Sequence, residues 1–100
     1  MIKHVLEVVE FRLNSGTDAN VFLNAAEATK SFVSSLDGFI ERHTAQNEDG
    51  LWIDVVKWRD MQCAQHASAQ FEAAEEVTDF MMMIEPESVK MQHFEIEATM

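Results

Sequence analysis

His43, Asp54 and Glu7 are the residues of this 100-residue chain whose types and spacing best fit proton chemistry. Residues 39–46 and 51–58 read as two strands joined by Asn47-Glu48-Asp49-Gly50, a polar four-residue connection ending in Gly that suits a hairpin. A symmetric register sets His43 opposite Asp54, Glu41 opposite Val56 and Phe39 opposite Trp58, with Trp52 on the same face. A carboxylate beside an imidazole fixes its tautomer and raises its basicity, which a general base near neutral pH requires. Glu7 lies near them if the first and third strands are neighbours. The bland alternative is a cross-strand polar contact that only fixes register. A slip of one residue would turn every side chain to the other face.

Aromatic residues supply a candidate ligand wall. Trp58 stands at a strand-to-helix junction, and with Trp52 and Phe39 it can line a pocket, or simply pack in a core. His93 shares a face of the final strand with Glu95 and extends the candidate binding set. Metal binding needs three or four converging ligands, and His4, His43, His66 and His93 show no such spacing, so no metal is expected. Cys63 precedes His66 by three residues, but acidic neighbours oppose a thiolate there and a packed thiol is expected. Glycine-rich phosphate loops and GxSxG elbows are absent. Glu72, Glu75, Glu76 and Asp79 read as a solvated helix face.

The elements that must position these residues follow from periodicity. Residues 4–13 alternate, with Val5, Glu7, Val9, Phe11 and Leu13 on one face and His4, Leu6, Val8, Glu10 and Arg12 on the other. Asn14-Ser15-Gly16 marks a turn. A helix is predicted from about Asp18 to Leu36, capped by Thr17 or Asp18 and closed by Gly38 in the left-handed conformation. A second helix starts near Asp60, bends near Glu72–Glu76, and ends at Pro86. Residues 89–98 form the last strand. The order βαββαβ predicts one α+β domain over residues 1–100, with a ferredoxin-like four-stranded antiparallel sheet and two helices on one face.

Composition narrows the function classes. Eighteen acids against seven Lys and Arg leave a formal charge of −11, which disfavours a phosphate backbone or an anionic membrane as partner. An apolar fraction of 47% argues against disorder. The single cysteine excludes an internal disulfide and fits a reducing compartment. Glu7 interrupts the apolar run a secretory signal needs, and no run reaches the roughly 20 apolar residues of a membrane span, so a cytoplasmic location is expected.

Helices cover only one sheet face, yet Leu6, Val8, Ile53 and Val55 make the other apolar. A face that apolar should not stay wet, so pairing with a second copy, a homodimer, is expected. With these residues in view, the chain resembles the dimeric α/β-barrel proteins of the antibiotic-biosynthesis-monooxygenase-like superfamily. The resemblance rests on Glu7-Val8-Val9-Glu10-Phe11-Arg12-Leu13 before a Gly turn and helix, on Leu36-Asp37-Gly38-Phe39, and on Trp52-Ile53-Asp54-Val55-Val56-Lys57-Trp58 running into a helix with Ala64 near its start. It implies a pocket between sheet and helices that takes a small aromatic or apolar molecule, and a cofactor-independent oxygenase or related enzyme. A non-catalytic ligand-binding or structural homodimer is the alternative, since one fold hosts unrelated functions. Haem-degrading members carry a first-strand Asn and a helical Trp and His. Val8-Val9-Glu10 and the stretch after Met61 do not match them, so that activity is not implied.

Overall fold

A computed structural model describes residues 2–100. Strand β1, Val5–Phe11, sends Val5, Glu7 and Phe11 into the interior, as its alternation requires. Helix α1, Ala19–Ala28, starts at Asp18, whose Oδ1 accepts from the backbone N–H of Asn20 at 2.7 Å and of Val21 at 3.3 Å. The single helix expected to Leu36 is interrupted at Thr29, and a second segment, α2, spans Lys30–Ser34. Thr29 is fully buried, and its hydroxyl donates back to the Ala26 carbonyl at 2.6 Å, a bond that bends helices.

Gly38 leads into β2, Phe39–Gln46, with a φ of 84°. A Cβ there would lie 2.6 Å from both Cβ and Sγ of Cys63, so the position needs glycine for space as well as for conformation. The hairpin continues into β3, Trp52–Trp58. Asp60 then caps α3, Met61–Ala73, by accepting from the Cys63 N–H at 2.8 Å. The bend expected near Glu72–Glu76 is a full break: Ala74 is extended, Glu75–Val77 form a 3₁₀ turn, and α4 covers Thr78–Met82. Pro86–Ser88 form a second 3₁₀ turn before β4, Lys90–Glu95.

The four strands are antiparallel in the order β2-β3-β1-β4, with the helices on one face, which is the ferredoxin-like α+β fold. Phe39 pairs with Trp58 as the symmetric register requires, but a bulge between Phe39 and Glu41 inserts one residue. Beyond it Glu41 faces Lys57, Arg42 faces Val56, His43 faces Val55 and Thr44 faces Asp54. The predicted pairs of His43 with Asp54 and of Glu41 with Val56 therefore do not form. Arg42 and Thr44 turn inward in their place.

Two apolar clusters fill the interior. One holds Val5, Val33, Leu36, Val56, Trp58, Ala64 and Ala67, and the other holds Phe11, Phe22, Ala26, Trp52, Phe80 and Ile84. In the second, Phe22 and Phe80 stack at 5.1 Å while Trp52 meets Phe22 edge-on at 5.0 Å, geometries that aromatic quadrupoles favour. No helix among the described residues is long and apolar enough to cross a membrane.

Candidate ligand cavity between sheet and helices

A cavity of about 160 Å³ lies where the two clusters meet. Its wall is mostly apolar, with Phe11, Val56, Trp58 and Phe80 among the lining residues, and it also receives Glu7, Arg42, Asp54 and Ser68. Concave, mostly apolar space with a few convergent polar groups is the usual form of a small-molecule site.

Glu7 and Asp54 reach this space from adjacent strands. Val9 of β1 stands opposite Asp54 of β3, and Glu7 stands opposite Val56, so both carboxylates share the inner sheet face. Asp54 is enclosed by donors. Arg42 grips it with Nε on Oδ1 at 2.9 Å and Nη2 on Oδ2 at 2.8 Å, and Thr44 donates to Oδ1 at 3.3 Å. The guanidinium also donates from Nη1 to the Thr29 hydroxyl at 2.7 Å and lies 5.6 Å from the Phe80 ring centre. That bond ties β2 to the point where the first helix breaks.

Glu7 has fewer donors. Trp58 Nε1 donates to Oε1 at 3.3 Å, and the Ser68 hydroxyl, one turn beyond Ala64 on α3, donates to Oε2. His93, paired with Glu7 across β1 and β4, brings its buried Nε2 to 3.3 Å from Oε2 without completing a hydrogen bond. An ionised carboxylate accepts about four hydrogen bonds, so Glu7 keeps free acceptor capacity facing the cavity.

The expected site residues thus divide. Glu7, Asp54 and Trp58 line one cavity, and His93 stands behind Glu7. His43 lies on the opposite sheet face, with its side chain 72% exposed and its Nε2 2.9 Å from Glu41 Oε2. Trp52 and Phe39 pack in the clusters and do not line the cavity, since Trp52 sits against Phe22 and Phe39 meets Trp58 edge-on at 5.9 Å. Arg42, Ser68 and Thr29 escaped the sequence reading. The signal for Arg42 was its place in the same alternation as His43, one register step away.

Cys63 lies away from the cavity. Burial pushes its thiol up, and Asp60 adds to that, while Arg59 Nη2 at 3.0 Å from Sγ opposes it. The N–H of Cys63 meanwhile holds the Asp60 carboxyl below its usual value. His66 is exposed on the same helix. No group of three or more His, Cys, Asp or Glu among the described residues converges as metal ligands would.

No protein-family profile matches the sequence, and no curated protein matches it either. Solved structures do resemble it. A variant of SnoaB, a cofactor-independent oxygenase from Streptomyces nogalater, superposes with a TM-score of 0.78 at 17% identity, over 97% of this chain and 96% of the other. A candidate antibiotic biosynthesis monooxygenase from Bordetella bronchiseptica gives 0.76 at 14% identity, over 92% and 95%. A conserved protein from Methanosarcina mazei gives 0.70 at 8% identity, over 93% and 92%. At such identities the likeness establishes the fold alone.

Proposed function

We propose, on the premise of a subunit fold shared with dimeric α/β-barrel proteins of the antibiotic-biosynthesis-monooxygenase-like type, that this chain is a cofactor-independent oxygenase of a small phenolic molecule. The observation that carries this is a buried carboxylate with spare acceptor capacity, Glu7, on the wall of a largely apolar cavity. Cavity size narrows the substrate. An apolar cavity of about 150 Å³ accommodates benzene, so about 160 Å³ suits one ring.

In this reading Glu7 accepts the phenolic proton and becomes neutral. The phenolate is electron-rich enough to pass one electron to dioxygen. The resulting radical pair closes to a ring peroxide, the proton held on Glu7 returns to it to give the hydroperoxide, and loss of water leaves a quinone. One phenol and one dioxygen thus become one quinone and one water, with the substrate as the only reductant. Trp58 holds Glu7 in place through Nε1 and walls the ring. Asp54, committed to Arg42, shapes the cavity without moving a proton.

The homodimer belongs to the same proposal. Leu6, Val8, Ile53, Val55 and Phe94 share the helix-free sheet face through the strand register, and Phe94 is 47% exposed. A second copy would cover that patch. Cytoplasmic location is part of the proposal too, in keeping with the unpaired Cys63.

The test is oxygen uptake with a panel of single-ring phenols, run beside thermal shift. Expected is uptake matched by quinone formation in wild type and lost in Glu7→Gln, with ring ligands raising the melting temperature of both. Ligand binding without uptake across the panel would favour the non-catalytic binding reading. Sedimentation should give a dimer, and Val55→Glu a monomer.

A further inference from the structure

We infer that the cavity discriminates by charge: it admits neutral or cationic single-ring molecules, rejects carboxylate-bearing ones, and uses Glu72 at its mouth as the outer charge filter. This rests on the cavity being the ligand site.

The mouth is identified by exposure. Among the lining residues Met81, Val89 and Met91 are 42%, 41% and 47% exposed, whereas Phe11, Trp58 and Phe80 are buried. Glu72, near the C-terminal end of α3, is an exposed lining residue on the same side, and no described cation pairs with it. The ionisable groups lining the cavity are therefore Glu7, Asp54, Glu72 and Arg42. Three negative charges against one positive leave a formal −2.

The one lining cation is not available to an incoming anion. Arg42 spends its guanidinium on both oxygens of Asp54 and on Thr29. An anionic ligand would enter past Glu72, meet Glu7 in the interior, and find no free cation to replace its lost water. Charges brought together in that low-dielectric space repel far more strongly than in water. A neutral hydroxyl or amide meets no such barrier, and an ammonium is drawn in. The flexible methionine rim can adapt to ring shape, which leaves charge as the discriminating property.

Near-isosteric probes separate charge from shape. Binding of 4-hydroxybenzamide, 4-hydroxybenzoate and 4-hydroxybenzylamine is measured by calorimetry near neutral pH, where the first is neutral, the second anionic and the third cationic. Wild type should bind the amide and the amine, with the benzoate weaker by about tenfold or more. Glu72→Gln, a surface change that leaves the interior intact, should narrow that gap, and Glu72→Lys should narrow it further. Added salt should shrink the exposed Glu72 contribution and leave the part due to buried Glu7. Benzoate binding as tightly as the amide would overturn the charge filter while leaving the ring site standing. An unchanged gap in both Glu72 variants would overturn the role of Glu72. Binding of none of the three would remove the ring site and the filter with it.

Discussion

Glu7 and Asp54 are equally buried, each at 8% exposure, on the same face of adjacent strands, yet their oxygens are used in different ways. Asp54 meets a bidentate guanidinium and a hydroxyl, and its partner reaches on to Thr29. Glu7 meets an indole N–H and a hydroxyl, with an imidazole nearby that completes no bond. Burial therefore does not separate these two carboxylates. Saturation of their lone pairs does. A group that is already neutralised can only support the fold, whereas one with spare capacity can still take a proton or a ligand.

The sharpest way to break this contrast is to remove Arg42. Arg42→Met leaves Asp54 buried without its cation and should destabilise the fold by about 3–5 kcal/mol, read from urea unfolding. Adding Asp54→Leu should restore much of the loss, because the apolar pair removes the stranded charge. If Arg42→Met unfolds no more easily than wild type, Asp54 is not the saturated partner described above. Glu7→Gln should behave in the opposite way. Turnover should fall by about 10²–10⁴-fold, the usual worth of a general base, while stability shifts by less than about 1.5 kcal/mol. A stability loss as large as that of Arg42→Met would place Glu7 in the structural class. Ser68→Ala is the mildest change, expected to lower stability by about 1 kcal/mol and turnover several-fold. The serine orients Glu7 but is not its only donor.

Cys63 gives a reference outside the cavity. Burial raises its folded thiol above the usual value, so alkylation of the native protein should be slow near neutral pH and fast once urea exposes the thiol. The sign of the linkage follows. The stabilising contribution is fully present below the unfolded thiol value of about 8.5 and is lost as pH rises toward the folded one. Native alkylation as fast as that of the unfolded chain would contradict the burial.

Much of the architecture was legible because local signals agreed. The alternation around Glu7 carried β1, the polar loop before Leu51 carried the hairpin, and Gly38 marked a boundary that the structure keeps, whereas the last helix stops at Met82 and Pro86 opens a 3₁₀ turn instead of ending it. Asp18 and Asp60 were readable as caps for the same reason. The break at Thr29 was not, since threonine fits a helical stripe and its bond to Arg42 joins residues 13 apart in sequence. The site was half legible. Glu7, Asp54 and Trp58 followed from face alternation together with the expected pairing of the first and third strands. His43 did not, because its face depends on residue count from the hairpin, and the connection holds five residues, 47–51, where four were expected, without any compositional mark. Ser68 was hidden for a related cause: its role depends on which turn of α3 crosses β1, a packing detail.

The extra residue near Ile40 has an evolutionary corollary. The strand from Glu41 to Gln46 pairs with β3 without a break, and Phe39 pairs again on the other side of the bulge. Loss of the Ile40 codon would therefore straighten β2 and leave Arg42 on Asp54 and His43 outside. A codon lost from the connection 47–51 would fall on the register itself, so the same indel is harmless at one end of the strand and puts the ion pair at stake at the other.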